Sequence, residues 1–452
     1  MPGATLSRWT MSYFAAACLF LVIGECMLAA GYGYPFETVA AFGTLALVHV
    51  LAIGWLGLLM LGALLQFVPV LVAVPLRGER LAGPTLLLVI AGLLLLLGGF
   101  AALAGATTLS PNLLPIGAVA LVTGFALAAG MFATTLFAAR PLPHPARFVA
   151  AGLLALMATV LIGACFAALL SGAIESDLLT ALVVRGVPLH AALGLGGWLS
   201  FTAIGVSYRL LPMFMLAPDD VRPTTKIAWW AGIAALGLVA ASVGLAVIGP
   251  SAMAGLLVLA MLLTLGLTVL YGVDAVRLYR QRRRRAVELN IRASYAAFVA
   301  LIASVAMFAL PAMRAAAGEG AAALVYLFFF GWLSGLGLAQ LYKIVPFLTW
   351  LECYGPVLGR VPVPRVQDLV SERRASLWFC LYHAAVSAAT FSLFMGSHPS
   401  FRIAALAQLA ATIALIAEFL RARNLSAVAA ASRVPIGVPR PHLFLPPFRP
   451  QE

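Results

Sequence analysis

The chain has 452 residues, 63% of them hydrophobic and 10% charged, with a net charge of +13 and an isoelectric point near 10.1. Soluble chains usually carry about 25% charged and about 45–50% apolar residues, so this composition excludes a soluble multidomain protein. The positive balance does not mark a nucleic-acid partner either, because the basic residues lie between apolar runs and no stretch outside those runs is long enough for such a domain.

In chain order, apolar runs able to cross a bilayer occupy roughly residues 11–31, 40–75, 83–107, 114–138, 148–172, 183–216, 226–248, 252–278, 293–316, 321–350, 375–396 and 399–421. The expected fold class is all-α, a polytopic membrane protein of about twelve transmembrane helices surrounded by the lipid bilayer. The first run, from about Met11 to Ala30, exceeds a signal-peptide core of about 7–15 residues and contains Glu25, so it reads as an uncleaved first span. The second, sixth and tenth runs are unusually long, which predicts tilting or projection beyond the bilayer.

Arginine marks alternate links. Arg77 and Arg80 follow span two, Arg140 and Arg147 span four, and Arg222 and Lys226 span six. Arg280 and Arg282 to Arg285 follow span eight, and Arg360, Arg365, Arg373 and Arg374 follow span ten. The other links are poor in Arg and Lys, so the positive-inside rule predicts that both termini are cytoplasmic. Only Lys226 and Lys343 are lysine among 28 basic residues, and this Arg and Ala bias points to a GC-rich bacterial genome and a bacterial inner membrane. Residues 1–423 read as one transmembrane domain, and 424–452 as a Pro-rich, extended cytoplasmic tail. The five cysteines form no CxxC or CxxCH motif and read as small apolar fillers of helix interfaces.

Three segments align without a gap: GWLGLLMLGALLQFVPVL from Gly54, GWLSFTAIGVSYRLLPMF from Gly197 and GWLSGLGLAQLYKIVPFL from Gly331. Each begins Gly-Trp-Leu and carries Pro fifteen residues after the glycine, with Gln66, Arg209 or Lys343 three positions before that Pro. The matches lie on spans two, six and ten, a period of four spans, which predicts three four-helix repeats over roughly 1–138, 139–279 and 280–423. An even number of spans per repeat keeps the copies parallel, related by an axis along the membrane normal. Trp55, Trp198 and Trp332 lie near mid-span, where they pack or face a ligand.

This organisation resembles the catalytic subunit I of haem-copper oxidases (cytochrome c oxidase subunit I-like), most of all the cbb-type oxidase and nitric-oxide reductase branch. The smaller NnrS-like haem- and copper-containing membrane proteins are similar too. The resemblance implies a haem ligand at His49, five residues before the span-two motif, and a copper ligand at His190, near the start of the span-six motif. It also implies adjacent histidines in span seven, which reads KIAWWAGIAALGLV, and two in span ten, where Tyr326 and phenylalanines stand. Most of the metal ligands are therefore missing, and the chain resembles a degenerate or repurposed member that does not complete oxygen reduction alone.

Two histidines and one acid carry the candidate chemistry. A histidine or carboxylate inside a span is costly unless it is paired, faces a cavity or binds a ligand. Glu25 and His49 lie at comparable depth on adjacent spans and are expected to approach each other. They read either as a cofactor ligand with a carboxylate behind it or as a structural His–Glu pair. His190 reads as a copper or haem ligand or as an interfacial histidine bonded to a loop carbonyl; with His49 it could hold one cofactor if spans two and six face a common cavity. His383 reads as packed or hydrogen-bonded, and His144, His398 and His442 as solvated. Asp274 and Glu418 are expected in ion pairs with nearby arginines, and Tyr208, Arg209, Tyr342 and Lys343 as inner anchors or an anionic-headgroup site. No Walker, GxGxxG, HExxH or nucleophile-elbow motif occurs in a usable context. The functional expectation is a membrane protein binding haem, copper or both in a respiratory or nitric-oxide-related role, with other respiratory subunits as partners. The alternative is a non-redox transporter, accessory subunit or assembly factor.

Overall fold

The computed structural model describes residues 3–175, 180, 186–218, 221–246, 251–310, 319–429 and 433. His442 and most of the Pro-rich tail lie outside the described residues. Among the described residues there is helix and no strand. Twelve helices among the described residues are long and apolar enough to cross a membrane. They are α1 (Trp9–Ala30), α2 (Phe42–Val72), α3 (Glu79–Leu103), α4 (Leu113–Ala138), α5 (His144–Leu170) and α6 (Gly186–Met215), followed by α7 (Pro223–Ser242), α8 (Gly255–Arg280), α9 (Leu289–Ala309), α10 (Gly320–Val357), α11 (Glu372–Phe394) and α12 (His398–Arg423). The chain is an integral membrane protein, and the outward leucines, isoleucines and valines of its helices meet lipid.

The helices pair mostly with their chain neighbours. The most extensive contacts join α3 to α4, α7 to α8 and α11 to α12, and α12 returns to pack on α1. The three longest helices, α2, α6 and α10, lie inside this arrangement and contact one another. Close approach is set by glycine. A Cβ on Gly62 would lie 2.8 Å from that of Tyr13 on α1. One on Gly205 would strike Phe148 on α5 and lie 2.9 Å from the Pro145 carbonyl. Gly62 and Gly205 occupy the same place in the aligned segments, eight residues after the first glycine.

The aligned segments share local structure as well. Val50–Gly57, Ala192–Ser200 and Leu327–Ser334 are all π-helical, and ordinary α-helix resumes immediately after each. Helical turns of this type are rare and concentrate at functional sites. Each segment keeps its proline inside the following helix: Pro69, Pro212 and Pro346. Ala73 and Leu216, at matching positions, both end their helices with a left-handed residue, at φ 53° and 52°.

The mid-span tryptophans are buried and pack between the long helices. Trp55 Nε1 donates to Ser334 Oγ at 2.8 Å, and Trp332 Nε1 donates to Ser200 Oγ at 3.2 Å. Position 57, which aligns with Ser200 and Ser334, is glycine. Trp198 makes no such bond among the described residues.

Charge gathers at the arginine-rich end. Lys343 and Arg284 both pair with Glu288, Arg423 pairs with Glu352, and Arg374 and Arg421 pair with Glu418. Asp274 departs from the expected arginine pairing. It is buried and accepts hydrogen bonds from Tyr208, Thr224 and Thr225, because its helix face meets α6 and the start of α7 rather than the Arg-rich link. Of the cysteines, Cys353 is buried and Cys18 half-buried, while Cys26, Cys165 and Cys380 face outward instead of filling interfaces.

Candidate metal site

His49 is the last residue before the π-helical segment of α2, and His190 lies two residues before that of α6. The fold brings them together, with ring centres 6.4 Å apart. Each ring is oriented through Nδ1. That of His49 bonds the Leu45 carbonyl one turn back at 2.7 Å. That of His190 bonds the Thr159 carbonyl on α5 at 3.1 Å.

A carbonyl can only accept, so both Nδ1 atoms carry the hydrogen. Both Nε2 atoms then keep a lone pair, the form in which imidazole binds a metal. Neither Nε2 has a hydrogen-bond partner among the described residues. Phe100 packs beside His49 and Phe166 beside His190, at 5.3 and 5.6 Å between ring centres. Gly163 makes room for the second ring, since a Cβ there would come within 3.0 Å of His190 Cε1.

The expected approach of Glu25 to His49 does not occur. Glu25 is 1% exposed and turns to α12, where its Oε1 accepts from Gln408 Nε2 at 2.8 Å and Thr412 Oγ1 at 3.0 Å. Helical rotation explains the miss. The α1–α2 contact uses Phe20 and Gly24 on one side and Leu51 and Gly54 on the other. Glu25 is one residue beyond that face, a turn of about 100°, and His49 is two residues before it, about 200° away. Tyr326, which aligns with His49, joins the Glu25 cluster by donating to Gln408 Oε1 at 2.6 Å.

The remaining histidines divide. His383 packs against Tyr382 and beneath Gly335, and its buried Nε2 has no partner among the described residues. His144 is buried rather than solvated, because it opens α5 against α7 and bonds the Thr225 carbonyl at 3.1 Å. His398 is exposed and packs on Phe36 at the arginine-poor end.

The donor set limits what can bind. Among the described residues no group of three or more His, Cys, Asp or Glu side chains converges, so a four-ligand protein zinc site is not assembled there. Two imidazoles suffice where the metal brings its other ligands, as haem iron does, or accepts few, as reduced copper does. His49 and His190, with ring centres 6.4 Å apart, are the two residues that would hold such a group. No protein-family model and no curated protein matches this chain.

Proposed function

We propose that this is a haem-copper-oxidase-like membrane protein that holds one redox metal, a copper ion or a haem iron, between His49 and His190. The single observation that carries this reading is the meeting of the two rings at 6.4 Å with both Nδ1 atoms committed to carbonyls. The two carbonyls fix the tautomers, and Phe100 and Phe166 pack beside the rings. A metal bound there supplies one-electron chemistry in a respiratory or nitric-oxide-related role. Glu25 stands apart from the pair and acts through α12 rather than on the ligand.

In this reading the chain is built of three parallel four-helix units, with α2, α6 and α10 around a common axis. The shared π-helical segments, the recurring helix pairs and the two Trp–Ser bonds support it. The arginine-rich end is cytoplasmic, both termini lie on that side, and the membrane is a bacterial inner membrane. The histidine pair then sits in the outer half, where a soluble or membrane-bound redox partner can reach it.

The test is to purify the full chain in mild detergent, measure copper and iron, and record oxidised and reduced visible spectra. One equivalent of metal, lost in both His49→Ala and His190→Ala but kept in Glu25→Gln, is expected. A colourless, metal-free and natively folded protein that takes up neither copper nor haem would overturn the redox reading. It would favour a transporter or assembly factor instead.

A further inference from the structure

On the arginine-rich side of the tryptophans, α2, α6 and α10 do not close on one another. They line a partly open cavity of ≈ 80 Å³. Its walls come from matching places. Leu56, Leu199 and Leu333, two residues after the aligned glycines, line it, and so do Met60, Ala203 and Gly337, six residues after. Ala63, Val206 and Gln340, nine residues after, continue the wall. This i, i+4, i+7 spacing is one face of a helix, so each long span turns the same face inward. The void has a direct cause: in the middle layer only Met60 has a long side chain.

The lining cannot hold water well. A buried water needs about 2–4 polar partners. The Ser207 hydroxyl is already shared between the Ile204 carbonyl and Tyr271. Gln340 Nε2 donates one of its two hydrogens to Ser294 Oγ, so its other N–H and its Oε1, which has no partner among the described residues, are the polar groups left at one end of an otherwise apolar wall. The volume exceeds the roughly 10–15 Å³ a single water requires, and it is about half of a roughly 150 Å³ dry cavity known to accept benzene or xenon.

We propose that this axial cavity binds one small uncharged apolar molecule, of the size of xenon or a diatomic gas. Leu56 lies seven residues along α2 from His49, with nearly the whole π-helical segment between them. The cavity is therefore a different place from the histidine pair and shares no residue with it, so the proposal stands whether or not a metal binds there.

Xenon is the probe. The full chain in lipid nanodiscs is equilibrated with xenon and examined by xenon NMR, and crystals are pressurised with the gas. One saturable site at the centre of α2, α6 and α10 is expected. It is lost in Ala203→Phe and weakened in Ala203→Val, a smaller change retained in case the larger one does not fold. Leu336→Ala, which enlarges the void, is expected to tighten binding of benzene. The proposal is overturned if the wild type shows no central site. It is equally overturned if folded Ala203→Val and Leu336→Ala leave binding unchanged, or if native mass spectrometry and density show a lipid chain filling the cavity.

Discussion

The two tryptophan–serine bonds run in one direction around the three long helices, from α2 to α10 and from α10 to α6. A third, from Trp198 on α6 to position 57 on α2, would complete the cycle, but glycine stands at 57. Gly57→Ser should therefore add a bond. A Cβ at Gly57 lies 3.3 Å from the Ala52 carbonyl, a tight contact that works against the gain. Gly57→Ala carries the same Cβ without the hydroxyl, so the difference between the two variants isolates the bond. Interhelical hydrogen bonds within membranes average about 0.6 kcal/mol and reach about 1.7 kcal/mol. The serine variant should exceed the alanine variant by about 0.6 kcal/mol. In the other direction, Ser334→Ala strands an indole N–H whose side chain is fully buried, and should cost about 1–1.7 kcal/mol. Ser200→Ala should cost less, because its 3.2 Å bond is at the long limit for N–H···O. Reversible unfolding in mixed micelles, or steric trapping, followed by tryptophan fluorescence would read all four variants. Equal stability of Gly57→Ser and Gly57→Ala, with no loss in either serine-to-alanine variant, would refute the cyclic arrangement.

Other outcomes can be stated from single contacts. Gln408→Leu removes a donor from Glu25 and the acceptor of Tyr326 together and should cost about 2–3 kcal/mol, against about 1 kcal/mol for Thr412→Val; the reverse order in an unfolding series would count against the buried cluster. Gly205→Ala should push α5 from α6 at a cost of about 1–3 kcal/mol. Gly237→Ala, whose added methyl meets nothing within 4 Å, should be neutral or slightly stabilising in the same assay. The Arg365 side chain, and then its backbone N–H, hold the Asp368 carboxyl below its usual value. A depressed carboxylate contributes above its ordinary value of about 3.9 and is lost as pH falls through the lower folded one. Hydrogen exchange over 365–369, corrected for intrinsic rate, should therefore stay constant down to about pH 4 and rise below it, and Asp368→Asn should show the raised exchange already at neutral pH.

The spans were legible because an apolar run of about 20 residues has few other uses. All twelve expected runs overlap the helices found, and the three longest are α2, α6 and α10. The π-helical segments were not legible, since nothing in composition distinguishes a wider turn from an α-helix. His49 and His190 stood out as polar residues in apolar runs, but only the packing of α2 near α6 puts their rings together. Depth in the membrane does not give the partner of Glu25, because rotation about the helix decides which neighbour its carboxylate meets. Gln408 and Thr412, four residues apart in an otherwise apolar span, were the available signal for a polar stripe on α12. Asp274 follows the same logic: sequence neighbours are not its partners, and three hydroxyls from other elements converge on it.

The π-helical segments let each long span aim its two halves independently. Above the segment, α2 turns His49 toward His190; below it, the same helix turns Met60 and Ala63 toward the cavity. An α-helix advances about 100° per residue. Deleting Leu58, at the start of the α-helix that follows the segment, would thus act like slipping a gear by one tooth. It would swing His49 away from His190 or the apolar wall away from the axis, without altering any of those side chains.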